Sequence, residues 1–189
     1  MSSTESLEAT DTKTPATSKA MIWLILGIVV FGCVVDQITK ALAVAYLSDG
    51  HTVEVVSDIF RLQLHRNPGA AFSTGTSLTI VFSTLAIIVL LVVSWLVIPK
   101  VGCKSWAIAI GMATAGVAGN LIDRLTRYPG PMKGHVIDFL ALKHFAVFNI
   151  ADMMLTAAAI MIAFLAIMKR VNLDGTVVSD HRKLGDRSQ

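Results

Sequence analysis

The stretch Gly119–Asp152 reads GNLIDRLTRYPGPMKGHVIDFLALKHFAVFNIAD, and its three aspartates decide how the rest of the chain is read. Asp123 closes one apolar run, Asp138 sits inside a second (VIDFLAL), and Asp152 opens a third that ends at Met168. A carboxylate taken out of water without a partner is costly, so ionisable groups this close to apolar runs are kept for a use. Outward from this stretch the chain is dominated by uncharged segments. Residues 20–35 carry no charge; Asp36 and Lys40 follow one helical turn apart, and AVAYL continues the pattern to Leu47. Residues 77–98 are uncharged and end at Pro99, and the run before Asp123 is rich in small residues (AIGMATAGVAG, 109–119).

Apart from the short VIDFLAL, each of the four long runs is about long enough to cross a hydrocarbon core of roughly 30 Å. With 54% apolar and 15% charged residues and a mean hydropathy of +0.67, the 189-residue chain is too apolar for a soluble domain. The expected fold is an all-α membrane protein, a four-transmembrane-helix bundle with spans at about 20–47, 77–98, 105–125 and 149–168. Two segments in the loop before the second span, 52–56 and 59–64, alternate or are β-branched, so a small extracytoplasmic β-containing domain is expected there. The domain reading is a disordered Ser/Thr-rich extension over 1–19, a membrane domain over 20–170 and a flexible cytoplasmic tail over 171–189.

Lys19, Lys100, Lys104 and Lys169-Arg170 flank one set of span ends, which places both termini in the cytoplasm. The net charge of +3 is modest, and its basic residues indicate membrane orientation, with no nucleic-acid partner. Cys33 and Cys103 form no CxxC pair and read as small buried thiols; bulky Phe31 argues against a lipoprotein cleavage site before Cys33. A helix entering at Ala20 has climbed roughly 24 Å by Asp36. Asp36, Asn67, Asp123, Asp138 and Asp152 therefore converge on the outer face, while the inner ends carry only anchoring cations.

Asp36 and Lys40 have the i,i+4 spacing of an ion pair that ties the first helix to its neighbours. Asn67-Pro68-Gly69 reads as a turn opening onto small residues. Asn120 and Asp123 share a helix face, with Arg124 beside them. Asn149 and Asp152 fit the N-cap and N3 positions of the last helix, which a purely structural pair would also do. Two neighbouring carboxylates cannot both ionise cheaply; they share a proton, one acting as base on a water and the other as acid toward a carbonyl. That is aspartic-protease chemistry, and it needs no cofactor or metal. No HExxH and no GxSxG is present. From the residues alone, the partner of Asp152 is either Asp123 or Asp138. The rival class is a non-enzymatic transporter or assembly subunit, but transport favours ionisable groups near the midplane.

At these residues the sequence resembles the lipoprotein signal peptidase (signal peptidase II) family. The resemblance runs through DQITK (Asp36–Lys40), RNPGAAFS (Arg66–Ser73), GNLIDR (Gly119–Arg124), VIDF (Val136–Phe139) and FNIAD (Phe148–Asp152), in order, on a four-span chain. It implies Asp138 and Asp152 as the catalytic pair. It also implies supporting or substrate-contacting roles for Asp36, Lys40, Asn67, Gly69, Asn120, Asp123, Arg124, Asn149 and Ala151. The implied substrates are diacylglyceryl-modified prolipoproteins, cut just before the lipidated cysteine at the outer face of the bacterial cytoplasmic membrane, among membrane lipids.

Overall fold

The computed structural model describes residues 19–57, 59–69, 76–168 and 171–177. The expected 1–19 extension, Ala70–Ser73 of the RNPGAAFS motif, the flanking Lys169-Arg170 and the tail beyond residue 177 lie outside the described residues, apart from Lys19.

Four helices carry the chain: α1 (Lys19–Leu47), α2 (Thr76–Val92), α3 (Lys104–Thr126) and α4 (Ile150–Ala163). A π-helical turn (Val93–Val97) and a 3-10 turn (Ile98–Lys100) extend α2, and the chain leaves helical geometry at Val101, just after Pro99. A π-helical turn (Phe164–Met168) extends α4. All four are long and apolar enough to cross a membrane. Trp23, Phe31, Tyr46 and Trp95 are each more than 70% exposed. Such a perimeter suits lipid and not water.

α3 is the most buried helix and α2 the least. The small residues of α3 are the reason α1 and α4 can close on it. A Cβ at Gly119 would stand 2.7 Å from Asp36 Oδ2, and one at Gly116 would stand 2.6 Å from the Ala151 carbonyl oxygen. Without side chains at these two positions, the backbones approach closely enough for polar groups of three helices to meet.

The loop before α2 forms strands β1 (Thr52–Val56) and β2 (Phe60–Asn67), near the expected positions. The sheet is larger than expected. It is antiparallel in the order β1-β2-β3-β4, and it recruits β3 (Val136–Leu142) and the two-residue β4 (Val147–Phe148) from the other side of α3. Asp138 thus lies in an interior strand of the sheet. VIDFLAL is β-branched and aromatic enough to pair, and β2 offers it an edge, with His65 opposite Asp138. The pleat sends Ile137 and Phe139 into a cluster with Ala43 and Leu47 at the end of α1. Asp138, one residue between them, points to the other face.

At the opposite end of the bundle, residues 171–177 differ from the flexible tail expected there. Val171 bridges Val177, the Gly102 N–H donates to the Leu173 carbonyl (2.8 Å), and Trp106 Nε1 donates to the Val171 carbonyl (3.0 Å). Val171 and Leu173 are apolar and cover the core of Ile25, Val101 and Trp106, which holds the segment in place.

Candidate active site

Two carboxylate clusters lie side by side where α1, α3, α4 and β3 meet. The first is ionic. Lys40 Nζ, with its side chain wholly buried, stands 2.9 Å from Asp36 Oδ2 and 2.8 Å from Asp123 Oδ2. Arg127 Nε meets Asp123 Oδ1 at 2.6 Å. Two cations thus balance two carboxylates, the condition under which buried charge is tolerated. Gln37 Nε2 donates to Asp36 Oδ2, Asp123 Oδ1 and the Gly119 carbonyl at 3.1–3.3 Å.

Both carboxylates of this cluster also accept from backbone. Asp36 Oδ1 accepts from the Ala151 N–H (2.9 Å), in the first turn of α4 and one residue before Asp152. Asp123 Oδ2 accepts from the Ile137 N–H (3.2 Å), one residue before Asp138. Lys40 therefore clamps two carboxylates that each hold the chain beside one of the other two aspartates.

In the second cluster, no cation among the described residues pairs with a carboxylate. Asp138 is 2% exposed. Asn149 Nδ2 donates to its Oδ1 (2.6 Å) and Asn67 Nδ2 to its Oδ2 (3.0 Å). Asp152 Oδ1 accepts from Asn120 Nδ2 (2.9 Å), and its Oδ2 accepts from the Asn149 N–H (3.2 Å). The Asp152 N–H donates back to Asn149 Oδ1 (3.0 Å), completing the capping box expected at the start of α4. Asn149 bonds both carboxylates, and Asn120 Oδ1 accepts from Lys40 (3.0 Å) and from Asn149 (3.2 Å), joining the two clusters. Burial pushes the Asp138 carboxyl above its ordinary range; the amides of Asn67 and Asn149 pull it partly back, and the charge of Asp152 raises it again.

Asp123 and Asp138 differ in their partners: Asp123 is tied to two cations, whereas Asp138 and Asp152 share an asparagine. Gly69, at φ +82°, donates its N–H to Asn67 Oδ1 (2.8 Å) and so fixes the amide that holds Asp138. Arg124 does not pair with a carboxylate at hydrogen-bond distance among the described residues. Its guanidinium lies 6.0 Å from the centre of the Phe82 ring. Arg124 and Phe82, with His65, Asn67, Gly69 and Val147, line a cavity of about 710 Å³ beside the cluster.

Four contributors were not singled out in the sequence. Arg127 could have been, because it stands i,i+4 from Asp123 as Lys40 does from Asp36. Gln37 carried no signal beyond its place next to Asp36. Thr79 donates to the Pro68 carbonyl, and Ser83 to the Met132 carbonyl (2.8 Å), anchoring α2 to loops around the cavity. Two hydroxyl residues inside an apolar run looked like ordinary helix residues. Among the described residues, no group of three His, Cys, Asp or Glu side chains is placed to hold a metal ion.

Residues 28–168 match the family model described as signal peptidase (SPase) II. The chain belongs to the signal peptidase II family. It is 41% identical over 176 residues to a lipoprotein signal peptidase of Leifsonia xyli, covering 92% of this chain and 79% of the relative. It is 38% identical over 162 residues to one of Streptomyces coelicolor, covering 86% and 78%. Two solved structures described as bacterial membrane enzymes superpose with a TM-score of 0.66 each, at 30% identity over 79% of this chain and 27% over 82%, covering 90% and 97% of those chains. As a member of this family the chain is a multi-pass membrane peptidase. All five quoted motifs fall inside the matched residues.

Proposed function

We propose that this signal peptidase II removes the signal peptide from diacylglyceryl-modified prolipoproteins, with Asp138 and Asp152 as its catalytic dyad. The reading rests on one observation above all: Asn149 bonds both carboxylates, and among the described residues no cation neutralises either at hydrogen-bond distance. Such a pair holds one proton between two sites. The raised carboxyl of Asp138 makes it the natural carrier. Asp152 then takes a proton from water as the water attacks the scissile carbonyl, and Asp138 gives its own to the carbonyl oxygen. Collapse of the tetrahedral diol breaks the C–N bond, and a proton from the dyad leaves with the amine of the cysteine.

The same proposal places the dyad and sheet at the outer face of the bacterial cytoplasmic membrane and both termini in the cytoplasm. It keeps residues 20–170 as the peptidase domain, with 1–19 and 171–189 outside it. Membrane lipids surround the bundle. Asp36, Lys40 and Asp123 hold the backbone on which the dyad stands. Asn67, Gly69, Asn120, Asn149 and Ala151 orient the carboxylates, and Arg124 faces the substrate. The transporter or assembly-subunit alternative is not favoured, given the family.

The test is cleavage of a lipidated precursor by purified protein with EDTA present. Wild-type enzyme is expected to cut before the lipidated cysteine at an undiminished rate. Activity that vanished with the chelator and returned with zinc would move the chemistry to a metal. A reporter fused after Gln189 is expected on the cytoplasmic side and one near Gly50 outside; the reverse would sink the orientation.

A further inference from the structure

The sheet extends the catalytic cavity away from the helices. Alternate residues of a strand share one face. Along β2, Asn67 and His65 line the catalytic cavity, whereas Gln63 and Arg61 line a second cavity of about 360 Å³. Val147 of β4 lines both, so the two are continuous. Lys143 and His144, in the turn between β3 and β4, line the second cavity beside Arg61. All its walls among the described residues come from β2, β3, β4 and that turn, and none from a helix. Its charged walls are cationic: Arg61, Lys143 and His144 are exposed, and no carboxylate among the described residues lines it. Glu54 stands opposite Arg61 on β1 but makes no ion pair with it.

We propose that this second cavity is a subsite for the polypeptide that follows the lipidated cysteine, selective for an acidic side chain about four to six residues beyond it. The proposal rests on the peptidase reading above and adds a determinant of substrate choice that the cleavage chemistry does not require. Direction is the first support. Phe82 of α2 and Arg124 of α3 line the catalytic cavity on its helical side, where the membrane-embedded parts of a substrate belong. The chain after the cysteine is the part that leaves the membrane. The sheet end, with no helix in its walls, is the side left for it.

Length is the second. Asn67 donates to Asp138, so it marks the cutting point on β2. Arg61 lies six residues along the strand from it, about 20 Å away, and Gln63 lies four. An extended substrate advances by the same step per residue, which sets the distance from the cysteine. Charge is the third. Exposed cations with no carboxylate in the same walls attract an acidic side chain and repel a basic one. Continuity with the catalytic cavity favours a segment of the substrate over a phospholipid headgroup, which needs no path to the dyad.

The experiment uses full-length enzyme in vesicles of neutral lipid and diacylglyceryl-modified precursor peptides of one sequence. The fifth residue after the cysteine is Asp, Asn or Lys. Exposed charge contacts are worth a few-fold each, so kcat/KM is expected to fall in the order Asp, Asn, Lys, with about fivefold to tenfold between the extremes. Salt at about 0.5 M should shrink that ratio, because the cations are exposed. Arg61→Glu is expected to reduce or invert the Asp-to-Lys ratio, and Arg61→Gln to reduce it. Each ratio is taken within one enzyme, so a general loss of folded protein does not move it. Equal rates on the three peptides, or a ratio untouched by Arg61→Glu, would overturn the subsite and leave the peptidase reading standing. Rates that followed anionic lipid added to the vesicles and ignored the peptide's charge would assign the cations to headgroups and overturn it as well. If wild-type enzyme cut none of the peptides, the peptidase reading would fall, and the subsite with it.

Discussion

The ionic cluster and the proposed dyad are built from the same residue type, lie side by side, and differ in what balances them. Asp36 and Asp123 are held by Lys40 and Arg127. Asp138 and Asp152 are held by asparagines. A carboxylate paired with a buried cation is held in place by it, because losing either partner would leave the other's charge buried and unpaired. A carboxylate bonded to amides is solvated but not neutralised, so it can still exchange a proton. Neutral partners suit the second pair to the acid and base roles proposed for it. The first pair holds charge and position: Asp36 and Asp123 grip the backbone one residue before Asp152 and Asp138 respectively.

That contrast can be broken from either side. The largest effect is expected at the dyad. Asp138→Asn or Asp152→Asn keeps the size of the side chain and removes the base or the shared proton, so turnover should fall by about 10³-fold or more while the protein still folds and binds substrate. Full cleavage of a lipidated precursor by either variant would refute the dyad.

Next comes the cation between the clusters. Lys40→Ala leaves two buried carboxylates with only Arg127 to balance them, and should destabilise the fold by about 3–5 kcal/mol. The measurement is the melting temperature in detergent and in lipid. An unchanged value in both would place the pair in contact with water and erase the distinction between the clusters.

A smaller and more selective loss is expected at the residue joining them. Asn120→Ala removes one amide bond to Asp152 and one acceptor from Lys40. A hydrogen bond to a charged group is worth about 1.5–3 kcal/mol, so kcat should drop about 10–100-fold with KM little changed. A rise in KM at constant kcat would make Asn120 a substrate contact and not an orienting group.

The mildest change is a shift in pH dependence. Asp138 holds its proton above the usual carboxylate range, mainly through burial, and Asn67 opposes that rise. The acid form is lost as pH rises through this pKa, so it sets the alkaline limb of the rate profile. Asn67→Ala removes a group that stabilises the ionised form and should move that limb to higher pH. A shift to lower pH would mean that Asn67 favours the protonated form.

Much of this architecture was legible in the sequence because its causes are local. Uncharged runs of membrane-spanning length mark the helices, an i,i+4 spacing marks Asp36 and Lys40, and Asn149 with Asp152 marks a helix start. What the residues could not reveal was which groups meet across the chain. Asp123 and Asp138 both border apolar runs and looked alike. They differ because Lys40 of α1 reaches Asp123 while Asn149 reaches Asp138. The strand character of Val136–Leu142 was hidden for the same reason, since its partner β2 lies across α2 and α3 in the chain. Folding of residues 171–177 was hidden as well, because the apolar surface that Val171 and Leu173 cover exists only after α1 and α3 have packed. Periodicity and capping are written within a few residues and determine the elements. Charge balance, pairing and proton sharing depend on contacts between distant segments, and those only the tertiary structure decided.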